Sequence, residues 1–111
     1  MMVRMLPMKR LVVRDLTGPT CLSPEKGQRV FRVVEPDVAA GHQVELDFTG
    51  VDLFATPFFN LSIGQLLRDL DPAYLRGRLH VVNLNEVGQD TYSRAWDNAV
   101  QHYHRETRPA D

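Results

Sequence analysis

The chain is poor in features that name a function. It has one cysteine, Cys21, in 111 residues. No internal disulfide can form, which fits a reducing, cytoplasmic compartment. No apolar run is long enough to span a membrane, and the stretch from Met1 to Arg10 lacks the apolar core of a signal peptide. Charge of one sign is also lacking. With 13 basic and 14 acidic residues the net charge is -1, so the basic surplus typical of a nucleic-acid binder is missing. There is no glycine-rich phosphate loop. The histidines fall at His42, His80, His102 and His104. His102 and His104 lie about 200° apart on a helix, and with one cysteine no zinc pattern emerges. The sequence offers no cofactor site and no metal site. Cys21 has no neighbouring base to activate it, no nucleophile, base and orienting group stand together, and no catalytic set is assigned.

What is present is a globular composition. Hydrophobic residues make up 43%, ordinary for a folded domain, and the length suits a single domain with its own core. Residues 1–8 read as an edge strand or a frayed terminus, residues 9–105 as the domain, and residues 106–111 as a tail.

The strongest pattern runs from Val44 to Leu70. Val44, Leu46 and Phe48 alternate with polar residues, as in a strand. Thr49-Gly50 ends it. Thr56-Pro57 reads as a helix start, with Thr56 as the N-cap and Pro57 in the first turn. Phe59, Ile63, Leu66, Leu67 and Leu70 then recur at helical spacing. Upstream, Leu11-Val12-Val13 reads as a strand, and Ser23-Pro24-Glu25 opens a helix whose inner face holds Gly27, Val30, Phe31 and Val34. Pro36 is expected to end or kink it. Lys26, Arg29 and Arg32 read as a solvated face. Downstream, Asp71-Pro72 marks a stop, Leu79 to Leu84 a strand covered on both faces, and Gln89 to Arg105 a last helix. Alternating strands and helices of this kind imply an α/β fold with a small, mainly parallel sheet covered by helices.

Several residues stand out. Asp47 lies in a strand expected to be buried, and is read as accepting hydrogen bonds from the following loop. Gly64 is read as a site of close packing. Phe54, Phe58 and Phe59 cluster around the loop and the helix start. Phe58, offset by about 100° from the core face, is poised between core and surface, where it would be an interface anchor.

Leu46-Asp47-Phe48-x-Gly50-Val51 followed by Thr56-x-Phe58-Phe59-x-x-x-Ile63-Gly64-x-Leu66 resembles the STAS-like domain of unknown function found in bacteria. Cys21-Leu22-Ser23-x-Glu25-x-Gly27 and Val81-x-Asn83-Leu84 fit the same pattern, so the resemblance extends over about residues 9–103. It implies a STAS-like layer related to anti-sigma-factor antagonists, which dock on a kinase and are released by phosphorylation at the start of the central helix. The acceptor position falls on Pro57, leaving Thr56 as the nearby substitute, and the usual preceding Asp is Ala55.

The leading expectation is a non-enzymatic regulatory module that binds a protein partner of the kinase-like or sigma-regulatory kind. Its surface would comprise Asp52, Leu53, Phe54, Ala55, Thr56 and Phe58, with Thr56 the phosphorylation candidate. The alternative is a small-ligand or nucleotide module at the carboxyl ends of the strands, using Thr49, Asn83 and Asn85. The sequence does not speak to oligomeric state.

Overall fold

The computed structural model describes residues 8–104. Of the segment assigned as residues 1–8, only Met8 falls among them, where it opens the first strand. The 106–111 tail lies outside the described residues.

The sheet is parallel and has three strands, β1 (Met8–Val12), β3 (Gln43–Asp47) and β5 (Leu79–Val82), in the order β1-β3-β5. Lys9 pairs with Val44 and Val44 with Leu79, so the strands run in register. A second pair of two-residue strands, β2 (Thr20–Cys21) and β4 (Leu53–Phe54), is also parallel. These short strands were not legible in the sequence, because two residues carry no periodicity.

Val13 does not continue the first strand as expected. It starts a short helix, α1 (Val13–Thr17), and points into the core. Helix α2 (Pro24–Ala39) opens as predicted: the Ser23 hydroxyl accepts from the Lys26 amide at 3.2 Å, and Pro24 occupies the first turn. Its inner face buries Gly27, Val30, Val34 and Val38, while Phe31 is half-buried. Pro36 does not end the helix. The chain stays helical through Ala39, so that Val38 reaches the core and its carbonyl accepts from the Tyr74 hydroxyl at 2.8 Å. The cations of α2 are partly engaged locally: Lys26 donates to the Thr20 carbonyl and hydroxyl, and Arg29 to the Leu16 carbonyl.

The central helix forms in three pieces, α3 (Thr56–Phe59), a π-helical turn (Asn60–Gly64) and α4 (Gln65–Asp69). The Ser62 hydroxyl donates to the Phe58 carbonyl at 2.9 Å. Such back-bonding competes with the backbone ladder and loosens it, which accounts for the wider turn. Helix α5 (Pro72–Arg78) is longer than the turn expected there. Asp71 caps it by accepting from the Ala73 and Tyr74 amides. Helix α6 (Glu86–His104) also starts earlier than predicted.

Helices α2 and α5 pack against β3, covering the face that carries Val44, Leu46 and Leu79. On the opposite face Arg10, Glu45 and His80 stand side by side in register, and His80 pairs with Gln43 at 2.7 Å. The expectation that β5 is covered on both faces is therefore corrected. It is an edge strand, and only its Leu79 is buried. At the core's centre the rings of Phe48, Phe54, Phe58 and Phe59 interlock, with centroid separations of 5.1 to 6.4 Å. Edge-to-face and offset contacts of this kind add to the burial term.

Gly27 sets how near α2 lies to the central helix. A Cβ there would fall 2.3 Å from the Phe58 carbonyl oxygen and 3.1 Å from Leu61 Cβ. The first clash is with backbone, which cannot rotate aside. Gly27→Ala is expected to cost about 1–3 kcal/mol, the usual range for overpacking, read as a lower urea midpoint. An unchanged midpoint would mean that the helices can separate freely.

Candidate functional site

The strands converge on Asp47. Its buried carboxylate sits at the carboxyl end of β3, between Val12 of β1 and Val82 of β5. Oδ1 accepts from the Thr49 amide at 2.9 Å, the Thr49 hydroxyl at 2.6 Å and Asn83 Nδ2 at 2.9 Å. Oδ2 accepts from Arg10 Nη2, while Arg10 Nε lies 3.4 Å from Glu45. A buried charge persists only when it is bonded in this way. The hydroxyl and amide donors of Thr49 and Asn83, with the Arg10 guanidinium, hold the carboxyl well below the usual carboxylate range. Asn83 takes a left-handed backbone at φ 64°, a conformation Asn tolerates better than most residues. The expected bond from the loop to Asp47 is thus present, joined by Arg10 of β1 and Asn83 just beyond β5, partners that sequence order could not supply.

The three residues of the ligand alternative all serve inside the chain. Thr49 and Asn83 donate to Asp47. Asn85 donates to the Asp52 carbonyl at 3.1 Å and accepts from the Gly88 amide at 2.7 Å, which makes it the cap of α6. Among the described residues no three His, Cys, Asp or Glu side chains gather to hold a metal. Cys21 is buried beside the Thr17 hydroxyl at 3.4 Å. Burial pushes its thiol up, away from the reactive thiolate.

The loop from Asp52 to Ala55 is held at both ends. The Asp52 amide donates to the Pro19 carbonyl and the Ala55 amide to the Cys21 carbonyl, each at 3.0 Å. Between them β4 turns Phe54 inward, where it stacks on Phe59 with an interplanar angle of 7°. Leu53 points outward and is 55% exposed. Val87, on the first turn of α6, is 61% exposed. The Asn85–Asp52 bond brings α6 to this loop, and Gly88 lets it approach, since a Cβ there would meet the Phe54 ring at 2.8 Å. Leu22, 41% exposed, follows directly on β2. These exposed apolar side chains lie on elements that meet, since β4 packs against both β2 and α6. Asp52 and Glu86 are exposed beside them, and neither makes an ion pair among the described residues.

Two expectations change here. Phe58 is fully buried and cannot act as a surface anchor, because α2 closes over the first turn of α3 at Gly27. Thr56 is not the N-cap. Ala55, held extended by its bond to Cys21, takes that position without a side-chain bond, and Thr56 is the first helical residue. Thr56 is exposed. Val87 was missed because residues 85–88 read as a loop. Asn85 followed directly by the acidic Glu86 was the available signal of a capped helix start.

Asp47 gives stability a definite pH dependence. Its folded carboxyl titrates below the unfolded value of about 4, so its contribution is complete above that pH and is lost as pH falls below it. Asp47→Asn is expected to lower the melting temperature at pH 7, with the gap to the wild type closing below about pH 4. A gap that stays constant into acid would place the effect in packing rather than charge.

Residues 26–89, more than half of the chain, match the family model described as a STAS-like domain of unknown function (DUF4325). No curated protein and no solved structure matches the chain. The match is narrower than the 9–103 span of the resemblance. It takes in nearly all of α2, Asp47 with its turn, the whole central helix, β5 and the start of α6, and leaves Cys21 to Glu25 outside. A small parallel sheet, helices packed on it and this match agree, and the chain belongs to the STAS-like domain family.

Proposed function

We propose that this STAS-like domain is a non-enzymatic regulatory module, and that it docks on a cytoplasmic protein partner through the corner formed by Leu53 and Val87. The observation behind this reading is the exposure of two large apolar side chains on a backbone pinned from three sides, by Pro19, Cys21 and Asn85. A rigid apolar patch loses little conformational entropy on binding. Asp52 and Glu86 add unpaired negative charge at its rim, so the fitting partner presents an apolar side chain flanked by Lys or Arg. Kinase-like and sigma-regulatory proteins are the partners to try first. Asp52, Leu53 and Thr56 of the surface expected from sequence remain in it, Ala55 and Phe54 support it, and Val87 joins it.

Glutamates at both apolar positions supply the test. Leu53 and Val87 contribute little to the core, so the Leu53→Glu, Val87→Glu double variant is expected to fold. It should bind a partner captured by crosslinking with the wild type at least about tenfold more weakly, the scale of a hot-spot loss. Wild-type binding should weaken with added salt. Equal capture by the variant would remove this corner from consideration.

Thr56 offers a second readout. A phosphate there adds roughly two negative charges to a rim already carrying Asp52 and Glu86. Charge complementarity with a cationic partner predicts tighter binding by Thr56→Asp than by Thr56→Val. The release implied by the antagonist resemblance predicts the opposite order, so the sign of the difference separates the two mechanisms. Indistinguishable affinities would place Thr56 outside the surface.

A further inference from the structure

Helices α5 and α6 leave a cleft between them, and Trp96, the single tryptophan of the chain, is its central wall. The cleft has two lobes that share Arg76, Trp96 and Asp97. The wider lobe, about 610 Å³, runs along Pro72 and Val100. It is of the size common to small-molecule sites, roughly 300–1,000 Å³. The narrower lobe, about 250 Å³, reaches Leu79 and Tyr92.

Polar groups on these walls have no partner in the protein. Trp96 is only 7% exposed, and both lobes touch it, so its exposed part faces the cleft. Its indole N–H makes no hydrogen bond, yet it is not sealed: among the described residues the sealed and unpaired side-chain atoms are Gln65 Oε1 and Arg78 Nε. The N–H therefore opens on the cleft as an unused donor. The half-buried Tyr92 hydroxyl is likewise unsealed and unbonded. Burial pushes its pKa up to about 12 against the nearby charge of Arg76, so at neutral pH it keeps its proton. Buried polar groups normally find partners, and two idle donors on one wall call for an acceptor. Charge narrows the choice. The Arg76 guanidinium stands over the Trp96 indole, 5.0 Å from the ring centroid, a contact that holds the cation in place. Asp97 brings a carboxylate to both lobes. No ion pair joins Arg76 to Asp97, or either one to another described residue. A simple anion would be repelled by Asp97 and a simple cation by Arg76. A ligand carrying both charges satisfies the two.

We propose that the cleft binds a free α-amino acid with an aliphatic side chain. The ligand carboxylate occupies the narrower lobe, where it pairs with the Arg76 guanidinium and accepts from the Trp96 indole N–H and the Tyr92 hydroxyl. Guanidinium and carboxylate match as two planar forks, which fixes orientation as well as charge. The ligand ammonium faces Asp97, and the aliphatic chain lies in the wider lobe against Pro72 and Val100. This site needs nothing from Leu53 or Val87, and it stands or falls independently of the docking reading.

The experiment titrates the full chain with L-leucine, reading the fluorescence of Trp96, the chain's one indole, and the melting temperature. Two truncated forms of leucine serve as comparisons: 4-methylpentanoate, which lacks the ammonium, and isopentylamine, which lacks the carboxylate. Leucine is expected to give a saturable fluorescence change and a higher melting temperature, and each truncated form to bind at least about tenfold more weakly. Asp97→Asn and Arg76→Gln change exposed positions and should fold. Each should weaken leucine binding by at least about tenfold, while Asp97→Asn should bind 4-methylpentanoate no more weakly than the wild type does. The proposal is overturned if leucine changes neither the fluorescence nor the melting temperature. It is equally overturned if either truncated form binds as tightly as leucine, or if both variants bind leucine like the wild type.

Discussion

A single buried carboxylate fixes where the parallel strands end and how the chain leaves them. Asp47 collects donors from Arg10 on β1, from Thr49 in its own turn and from Asn83 just beyond β5. Each strand of the main sheet is therefore tied to the same atom pair. A parallel sheet of three strands has two open edges and few ladder bonds, so a shared ionic tether at one end limits fraying there. The tether also sets direction. It orients the turn that leads toward β4, and it holds Asn83 in the left-handed conformation from which the chain turns toward Asn85 and α6.

From that point the aromatic cluster takes over. Phe48 follows Asp47 directly, and its ring meets Phe54, Phe58 and Phe59. Phe54 is drawn inward by this packing, which leaves its neighbour Leu53 facing solvent, as the alternation of a strand requires. The exposed corner is thus a consequence of the core. Gly27 and Gly88 are the two places where helices come close enough to close the cluster, one against the Phe58 carbonyl and the other against the Phe54 ring.

The periodic parts of the chain were legible in the sequence. The alternation of Val44, Leu46 and Phe48 marked β3, the spacing of Val30 and Val34 marked the buried stripe of α2, and Ser23-Pro24 marked its start. Legibility failed where tertiary forces overrode local ones. Pro36 stays inside a helix because Val38 is drawn into the core and its carbonyl receives the Tyr74 hydroxyl. Thr56 lost the cap position because the ladder bond from Ala55 to Cys21 holds the preceding residue extended. Phe58 was undecidable from spacing alone, since a helix wheel records angle but not which neighbour covers a given angle.

Sequence by itself determined the alternating strands and helices, the parallel character that such alternation imposes, and the family, because these rest on short-range periodicity and on residues close together in the chain. It also marked Asp47 as a bonded carboxylate, since its first partners lie two residues away. Tertiary structure alone decided the rest. It brought Arg10 and Asn83 to Asp47 across 37 and 36 residues, buried Phe58, and left Leu53 and Val87 exposed. Those outcomes depend on which elements meet in space, and contacts between distant residues leave no periodic trace in a single chain.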